Sequence, residues 1–345
     1  MKKLVLTGIG RIVMIDSPQP ELKNPDDVLI RIKTVGICGS DVHYFTEGKI
    51  GSQVVEFPFA LGHECSGMVV QTGVSVTRVK PGDLVAIDPS IHCGTCDQCL
   101  AGRPHTCRNN RFLGCPGQIE GCLAEYIVMP EFTCFTLTNK LNPMTGALIE
   151  PLTIGTYSVE MAKTNLCDKT ICIFGAGPIG LSVLMVLKTM QTGNIFCYEP
   201  LEYRCEKALN LGADYVLNPF EADSYKSTSN IEPLLLDLVF ECSGDQKAVD
   251  DALNVLKPGG KLMLVGIPTE ASYIFNMDLM RRKEIAIQNV RRQNHCVEKA
   301  ITLVKNGLPV DQMITHHFRP EETQRAFEMV SNYQDNVIKA MIDFS

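Results

Sequence analysis

A chain of 345 residues is longer than one hydrophobic core usually supports, so two domains are expected. With 45% hydrophobic and 21% charged residues it reads as an ordinary globular protein, and a net charge of -7, from 32 basic against 39 acidic side chains, argues against general affinity for nucleic acid or anionic membrane. Fifteen cysteines, an odd number spread along the chain, read as reduced thiols and metal ligands rather than a disulfide framework, with the cytoplasm as the expected location.

In chain order, residues 1–8 contain an apolar run too short for a signal peptide, and nothing approaches the roughly eighteen apolar residues of a membrane span. From residue 3 to about 150, short apolar alternations at 28–35, 67–72, 83–87 and 121–128 alternate with Gly, Pro and Asp, and Lys80-Pro81-Gly82-Asp83 reads as a turn. This part is predicted to be a β-rich domain whose loops carry the unusual residues. The strand at 28–35 leads into Gly36-Ile37-Cys38-Gly39-Ser40-Asp41-Val42-His43-Tyr44, expected to be a loop, where a thiol, a hydroxyl and an imidazole fall within six positions. A lone cysteine beside a histidine is most often a small buried hydrophobe. Gly62-His63-Glu64 follows, however, and Cys, His and carboxylate together are the donors that select zinc while leaving one coordination position open.

Within a lobe at about 90–110, Cys93, Cys96 and Cys99 recur every third residue and Cys107 returns after a bend, so four thiolates can converge on one tetrahedral ion. Such a site has no open position and is expected to be structural. A zinc-ribbon nucleic-acid module is the non-enzymatic alternative, but the local charge is mixed and the chain acidic. His92 and His105 read as bystanders. At Ala147-Leu148-Ile149-Glu150-Pro151-Leu152, Glu150 is either an exposed carboxylate at the end of a helix that Pro151 stops, or a buried one facing a metal.

From about residue 168 the pattern becomes βαβ. The apolar strand at 169–174 leads directly into Gly175-Ala176-Gly177-Pro178-Ile179-Gly180 and a helix, and the next strand ends at Glu199. A glycine triplet between strand and helix, with an acid about twenty residues on, is a dinucleotide site. Gly175 permits the turn, Gly177 the approach of the pyrophosphate, and Gly180 close packing of helix on strand; Pro178 and Ile179 begin the helix whose N–H groups face the phosphates. Glu199 can bind a ribose diol and would repel a 2′-phosphate, which favours NAD over NADP, whereas Arg204 could neutralise a phosphate or stack beside the adenine. Further strands at 237–242, 261–266 and 284–290, with helices at 201–211 and 246–256 and a turn at Lys257-Pro258-Gly259-Gly260, predict a parallel sheet covered on both faces. Ligands bind such sheets at the carboxyl ends of strands, which points to Val265, Gly266, Ile267, Val290 and Arg291 as cofactor neighbours. The final segment reads as helices at 296–306 and 320–330 around a loop carrying His316 and His317, then a strand at 337–342 that returns to the first domain.

The order of Gly62-His63-Glu64, the Cys93 to Cys107 lobe, Gly175 to Gly180 and Lys257 to Gly260 resembles the zinc-containing medium-chain dehydrogenases over essentially the whole chain. Gly36 to Tyr44 and Ala147 to Leu152 resemble most its sorbitol (L-iditol 2-) dehydrogenase branch of polyol-oxidising enzymes. The resemblance implies an α/β protein: a GroES-like catalytic domain at 1–152 completed by 290–345, a Rossmann domain at 153–289 inserted between them, an active site in the cleft, and a homotetramer or homodimer. It implies two zinc ions per chain: a structural one on Cys93, Cys96, Cys99 and Cys107, and a catalytic one on Cys38 and His63 with Glu64 or Glu150 as third ligand. Ser40 and His43 match a proton relay, and Tyr44, Glu150 and Arg292 match residues that contact the polyol or the water on its metal. Arg291-Arg292-Gln293 stands where polyol dehydrogenases usually carry Phe-Arg-Tyr, so cyclitols, sugars and phosphorylated polyols remain in play as substrates. The expected reaction is NAD-linked oxidation of a secondary hydroxyl to a ketone; the alternatives are an amino-alcohol dehydrogenase of the L-threonine type and a non-catalytic NAD- and zinc-binding relative.

Overall fold

The computed structural model describes residues 1–137, 141–219, 235–268 and 272–345. Two units partition the chain: Met1–Glu150 with Val297–Ser345, and Pro151–Cys296. The sequence reading placed the corresponding boundaries at 152 and 290.

The first unit is organised by the strand Asp27–Gly36, whose Val28, Ile30 and Ile32 are wholly buried. One edge pairs antiparallel with Glu64–Thr72. The other edge is shared: Tyr126–Pro130 pairs with its first half, and Lys339–Asp343 pairs with Thr34 to Gly36. Leu84–Ile87 and Cys134–Thr136 extend the sheet beyond Glu64–Thr72, and Ile314–Phe318 lies beyond Lys339–Asp343. Each wholly buried aliphatic side chain contributes roughly 1.5–3 kcal/mol. The central strand is therefore firmly held, with neighbours paired along both edges up to its Gly36 end.

In the second unit six parallel strands run in the order Tyr215–Leu217, Ile195–Tyr198, Ile171–Phe174, Leu236–Glu241, Leu256–Leu264 and Ala286–Asn289. Numbered along the chain this is 3-2-1-4-5-6, the doubly wound Rossmann order, whose switch point falls between Ile171–Phe174 and Leu236–Glu241. All four residues of Ile171–Phe174 are buried, as a strand covered on both faces requires. Pro178–Lys188, Glu202–Asn210, Gln246–Val255 and Met277–Lys283 are helices of this unit. Among the described residues no helix is long and apolar enough to cross a membrane.

Four local expectations are corrected. The stretch after Gly36 is a helix, Gly39–Glu47, because Asp41 in its first turn accepts the Cys38 N–H (3.1 Å) at the N-cap position. A helix, Pro143–Ala147, does end before Pro151, but Pro151 is not followed by a loop. It lies in the first turn of Ile149–Met161, where a missing N–H costs nothing. Lys257 to Gly260 falls inside the strand Leu256–Leu264, absorbed as a break in register, since the partners of Leu236 and Leu238 are Leu256 and Lys261. His316 and His317 lie on the strand Ile314–Phe318, and His316 Nε2 is 3.2 Å from Asp335.

Candidate active site

Three elements of the first unit bring separate donors together. Cys38 sits at the junction of the central strand and the helix Gly39–Glu47, while His63 and Glu64 stand at the start of the adjacent strand. One ligand atom from each of Cys38, His63 and Glu64 lies within 4.8 Å of the others, His63 and Glu64 being buried and Cys38 half-buried. Glu150 is not part of that set. It is buried nearby in charge terms: burial pushes its carboxyl up to about 7, Glu64 and Asp88 add to the rise, and His63 and Lys339 oppose it.

Buried groups surround the three donors. Asp41, wholly buried, accepts the N–H groups of Cys38 (3.1 Å) and Gly62 (3.0 Å) and places Oδ1 3.4 Å from His63 Nδ1. With Nδ1 turned toward a carboxylate, Nε2 is the nitrogen available to a metal. Burial alone would lower the proton affinity of His63, but the charges of Asp41 and Cys38 raise it well above the ordinary value. A field that holds a proton there also favours a metal cation. Behind Glu64, Lys339 Nζ lies 2.6 Å from Oε2 and donates to the Ile37 carbonyl (3.1 Å), with both side chains 1% exposed. Removing one partner of such a pair typically costs about 3–5 kcal/mol.

Ser40 and His43, three apart on the helix, share its face and are both half-buried. Burial holds the His43 imidazole below its ordinary pKa, hence neutral near pH 7. Tyr44 is buried and donates its hydroxyl to Gln53 Oε1 (2.9 Å). Arg292 belongs to the second unit, where it adopts a left-handed φ of 52° in the segment after Ala286–Asn289.

The four lobe sulfurs also form one group within 4.8 Å. Sulfurs bound at about 2.3 Å around one tetrahedral zinc stand about 3.8 Å apart; the separations Cys93–Cys107, Cys96–Cys99, Cys96–Cys107 and Cys93–Cys99 are 3.4, 3.5, 3.8 and 4.0 Å. Backbone N–H groups of Thr95 and Cys96, then Cys107, bring the Cys93 thiol down to about 5. Burial and then the Cys96 and Cys107 sulfurs push Cys99 up to about 12, the penalty for crowding thiolates that a divalent cation removes. Cys107 accepts from the N–H groups of Cys93 (3.3 Å) and Asn109 (3.4 Å). His92 instead packs on Phe132, with ring centroids 4.6 Å apart.

In the second unit, Gly175 takes a φ of 91°, and a Cβ at Gly180 would lie 1.9 Å from the Gly175 carbonyl oxygen, so neither position admits a side chain. Gly177 caps the helix that begins at Pro178 and Ile179, and a Cβ there would meet only Arg204 Nη1, at 3.5 Å. Glu199 is buried and accepts the N–H groups of Ala176 (2.7 Å) and Leu201 (3.0 Å), which ties the end of its strand to the glycine loop. Across the switch point, Val265 and Gly266 donate to the Glu241 carbonyl (2.8 and 2.9 Å), Ile267 is 46% exposed, and Val290 donates to the Leu264 carbonyl (2.9 Å). Arg291 is exposed.

Comparison with known proteins places these features in a family. Residues 24–139 match the alcohol dehydrogenase GroES-like domain, and residues 178–306 match the zinc-binding dehydrogenase domain. The chain belongs to the zinc-type alcohol dehydrogenases. It is 34% identical to sorbitol dehydrogenase of Bacillus subtilis (strain 168), over 99% of this chain and 97% of that one. An oxidoreductase/dehydrogenase of unknown specificity involved in membrane biogenesis from Escherichia coli superposes with a TM-score of 0.92 at 33% identity, over 100% of this chain and 99% of that chain. A zinc-binding dehydrogenase from Sinorhizobium meliloti 1021, bound to NADP, superposes at 0.87 and 27% identity, over 99% and 98%. This dehydrogenase is thus an oxidoreductase of the medium-chain family that works with zinc and a nicotinamide cofactor, and its donor sets fit the metal.

Three residues escaped the sequence reading of the dehydrogenase. Asp41 was visible only as one polar letter between Ser40 and Val42. Lys339, the fully buried lysine behind Glu64, carried a signal that was passed over: a charge inside the apolar run 337–342. Glu241, wholly buried at the carboxyl end of its strand, accepts the N–H groups of Ser243 (2.7 Å) and Gly244 (2.8 Å) and so shapes the turn at the switch point. Its signal was an acid ending the run Leu238-Val239-Phe240.

Proposed function

We propose that the dehydrogenase oxidises a secondary hydroxyl of a polyol or sugar-like alcohol to a ketone with NAD, using one catalytic and one structural zinc per chain. The observation that carries the reading is the convergence of Cys38, His63 and Glu64, a donor set of two anions and one imidazole whose ligand atoms lie within 4.8 Å. In this assignment Glu64 is the third ligand and Glu150 works on protons. The likeness to a sorbitol dehydrogenase supports the substrate class. Glu199, buried beside the glycine loop, supports NAD through its repulsion of a 2′-phosphate. A homotetramer or homodimer in the cytoplasm belongs to the same reading.

When bound, the zinc supplies a Lewis acid that lowers the pKa of an alcohol hydroxyl, and the nicotinamide supplies the hydride acceptor. The chain's own residues do the rest. Cys38, His63 and Glu64 hold the metal, and Asp41 fixes the His63 ring. The substrate gives up one proton and one hydride. Ser40 takes the proton while passing its own to His43, whose burial keeps the imidazole neutral and able to accept it. Glu150, a buried carboxylate whose charge is felt by His63 and Glu64, is the group assigned to exchange a proton with the site. Tyr44, whose hydroxyl already donates to Gln53, is the residue of this unit assigned to orient a further hydroxyl.

A panel of polyols, inositols, sugar phosphates and L-threonine, assayed with NAD and NADP and with a chelated control, tests the reading. Metal-dependent oxidation of secondary polyol hydroxyls with NAD is expected. Oxidation of L-threonine alone, or silence across the panel in folded, zinc-loaded protein, would overturn the substrate assignment.

A further inference from the structure

Lysine is almost never wholly buried without a partner, and Lys339 is 1% exposed. The sheet explains how it reaches the metal site. Gly36 of the central strand faces Glu64 on one side and Met341 on the other, so these three share a row. Lys339, two residues before Met341, projects from the same face of the sheet. Its Nζ lies 2.6 Å from Glu64 Oε2 and 3.1 Å from the Ile37 carbonyl oxygen. A Cβ on Gly36 would come within 2.4 Å of that same Oε2, so the carboxylate lies directly over a glycine. One oxygen of Glu64 is therefore pinned between an ammonium and bare backbone.

A carboxylate paired with a cation donates less charge to a second cation, and one with an oxygen already committed has a single oxygen to give. We propose that Lys339 is a positioning residue for the alcohol chemistry: it takes up one oxygen of Glu64 and part of its charge, so that Glu64 serves the zinc as a restrained, single-oxygen ligand and the metal stays strongly Lewis-acidic with a position open to substrate. This rests on the assignment of Glu64 as third ligand. The consequence separates it from a structural role. A lysine that merely supported the fold would, when lost, loosen the metal; a lysine that restrains Glu64 would, when lost, let the carboxylate grip harder while turnover falls.

The experiment compares the full chain with Lys339→Met, Lys339→Gln and Lys339→Arg, each loaded with zinc and, separately, with cobalt(II). The readouts are zinc release to a chelator, the visible cobalt(II) bands, NADH affinity, and kcat on the best alcohol of the panel. Lys339→Met is expected to release the catalytic zinc roughly tenfold more slowly, to shift the cobalt bands, to lower kcat about 10- to 100-fold and to leave NADH affinity unchanged. Lys339→Gln removes the charge but retains a polar donor on a side chain one atom shorter; it is expected to behave like Lys339→Met and carries the test if that variant does not fold. Lys339→Arg should keep the cobalt bands and zinc release near those of the parent. Faster zinc release, or unchanged release and bands in both neutral variants, would overturn the proposal. A parent chain that binds cobalt at this site but oxidises no alcohol would sink the proposed function while leaving the metal readouts of Lys339 decisive.

Discussion

The two thiolate-bearing clusters of the first unit are built in opposite ways. The Cys93 lobe draws four identical donors from fifteen consecutive residues, with backbone N–H groups of the same loop turned onto the sulfurs. The Cys38 cluster draws three different donors from a strand-helix junction and a neighbouring strand, ringed by Asp41, Glu150 and Lys339, all buried. A saturated shell made locally can lock a loop but has nothing left to offer a substrate. A mixed shell assembled from distant segments costs the fold several buried charges, and those charges set the reactivity of whatever binds there.

Cys38→Ser is the sharpest way to break the contrast. It should cut turnover by roughly 10³-fold or more, since metal polarisation supplies several kcal/mol, and leave NADH binding, measured by fluorescence titration, intact. A variant with near-normal kcat would contradict the assignment. Cys99→Ser should do the reverse, destabilising the first unit by several kcal/mol and lowering the melting temperature on the order of 10 °C. Loss of activity in a fully stable, zinc-loaded Cys99→Ser would erase the distinction between the two sites.

Smaller effects sharpen it. If Glu199 sets the proposed preference for NAD, Glu199→Ala should shift the NAD-to-NADP ratio of kcat/KM values about tenfold toward NADP, close to the 1.4 kcal/mol of one polar contact. Glu150 gives a pH signature in the metal-free protein. Its carboxyl is raised from 4.5 to about 7, so the folded chain holds a proton that the unfolded chain has released. Stability from this group is present below about pH 4.5 and is lost as pH rises through about 7. Glu150→Gln should flatten that slope in denaturant titrations at pH 5 and pH 8, and an unchanged slope would place the raised carboxyl elsewhere.

What the sequence disclosed followed the range of its signals. The Cys93 lobe and the glycine loop were legible because spacing alone determines what they can do: sulfurs every third residue, and glycines where a Cβ would lie 1.9 Å from a carbonyl oxygen. The parallel sheet was legible from uninterrupted apolar strands such as Ile171–Phe174. The helix Gly39–Glu47 was missed because its start depends on one side chain, Asp41, capping Cys38. Pro151 was half legible: the helix Pro143–Ala147 ends before it, but a proline is also compatible with a first helical turn, and the second helix, Ile149–Met161, went unforeseen. Lys339 was missed for a different reason. Its partner is 275 positions away, and only the return of Lys339–Asp343 beside Asp27–Gly36 makes them neighbours.

The central claim, a division of labour between an open catalytic zinc and a closed structural one, is tested most directly by timed chelation, with zinc content, kcat and melting temperature followed on the same samples. Activity is expected to disappear with the first equivalent of zinc per chain while the melting temperature holds, and the melting temperature to fall only with the second. Activity and stability lost together with a single equivalent, or activity that survives removal of the first, would contradict it.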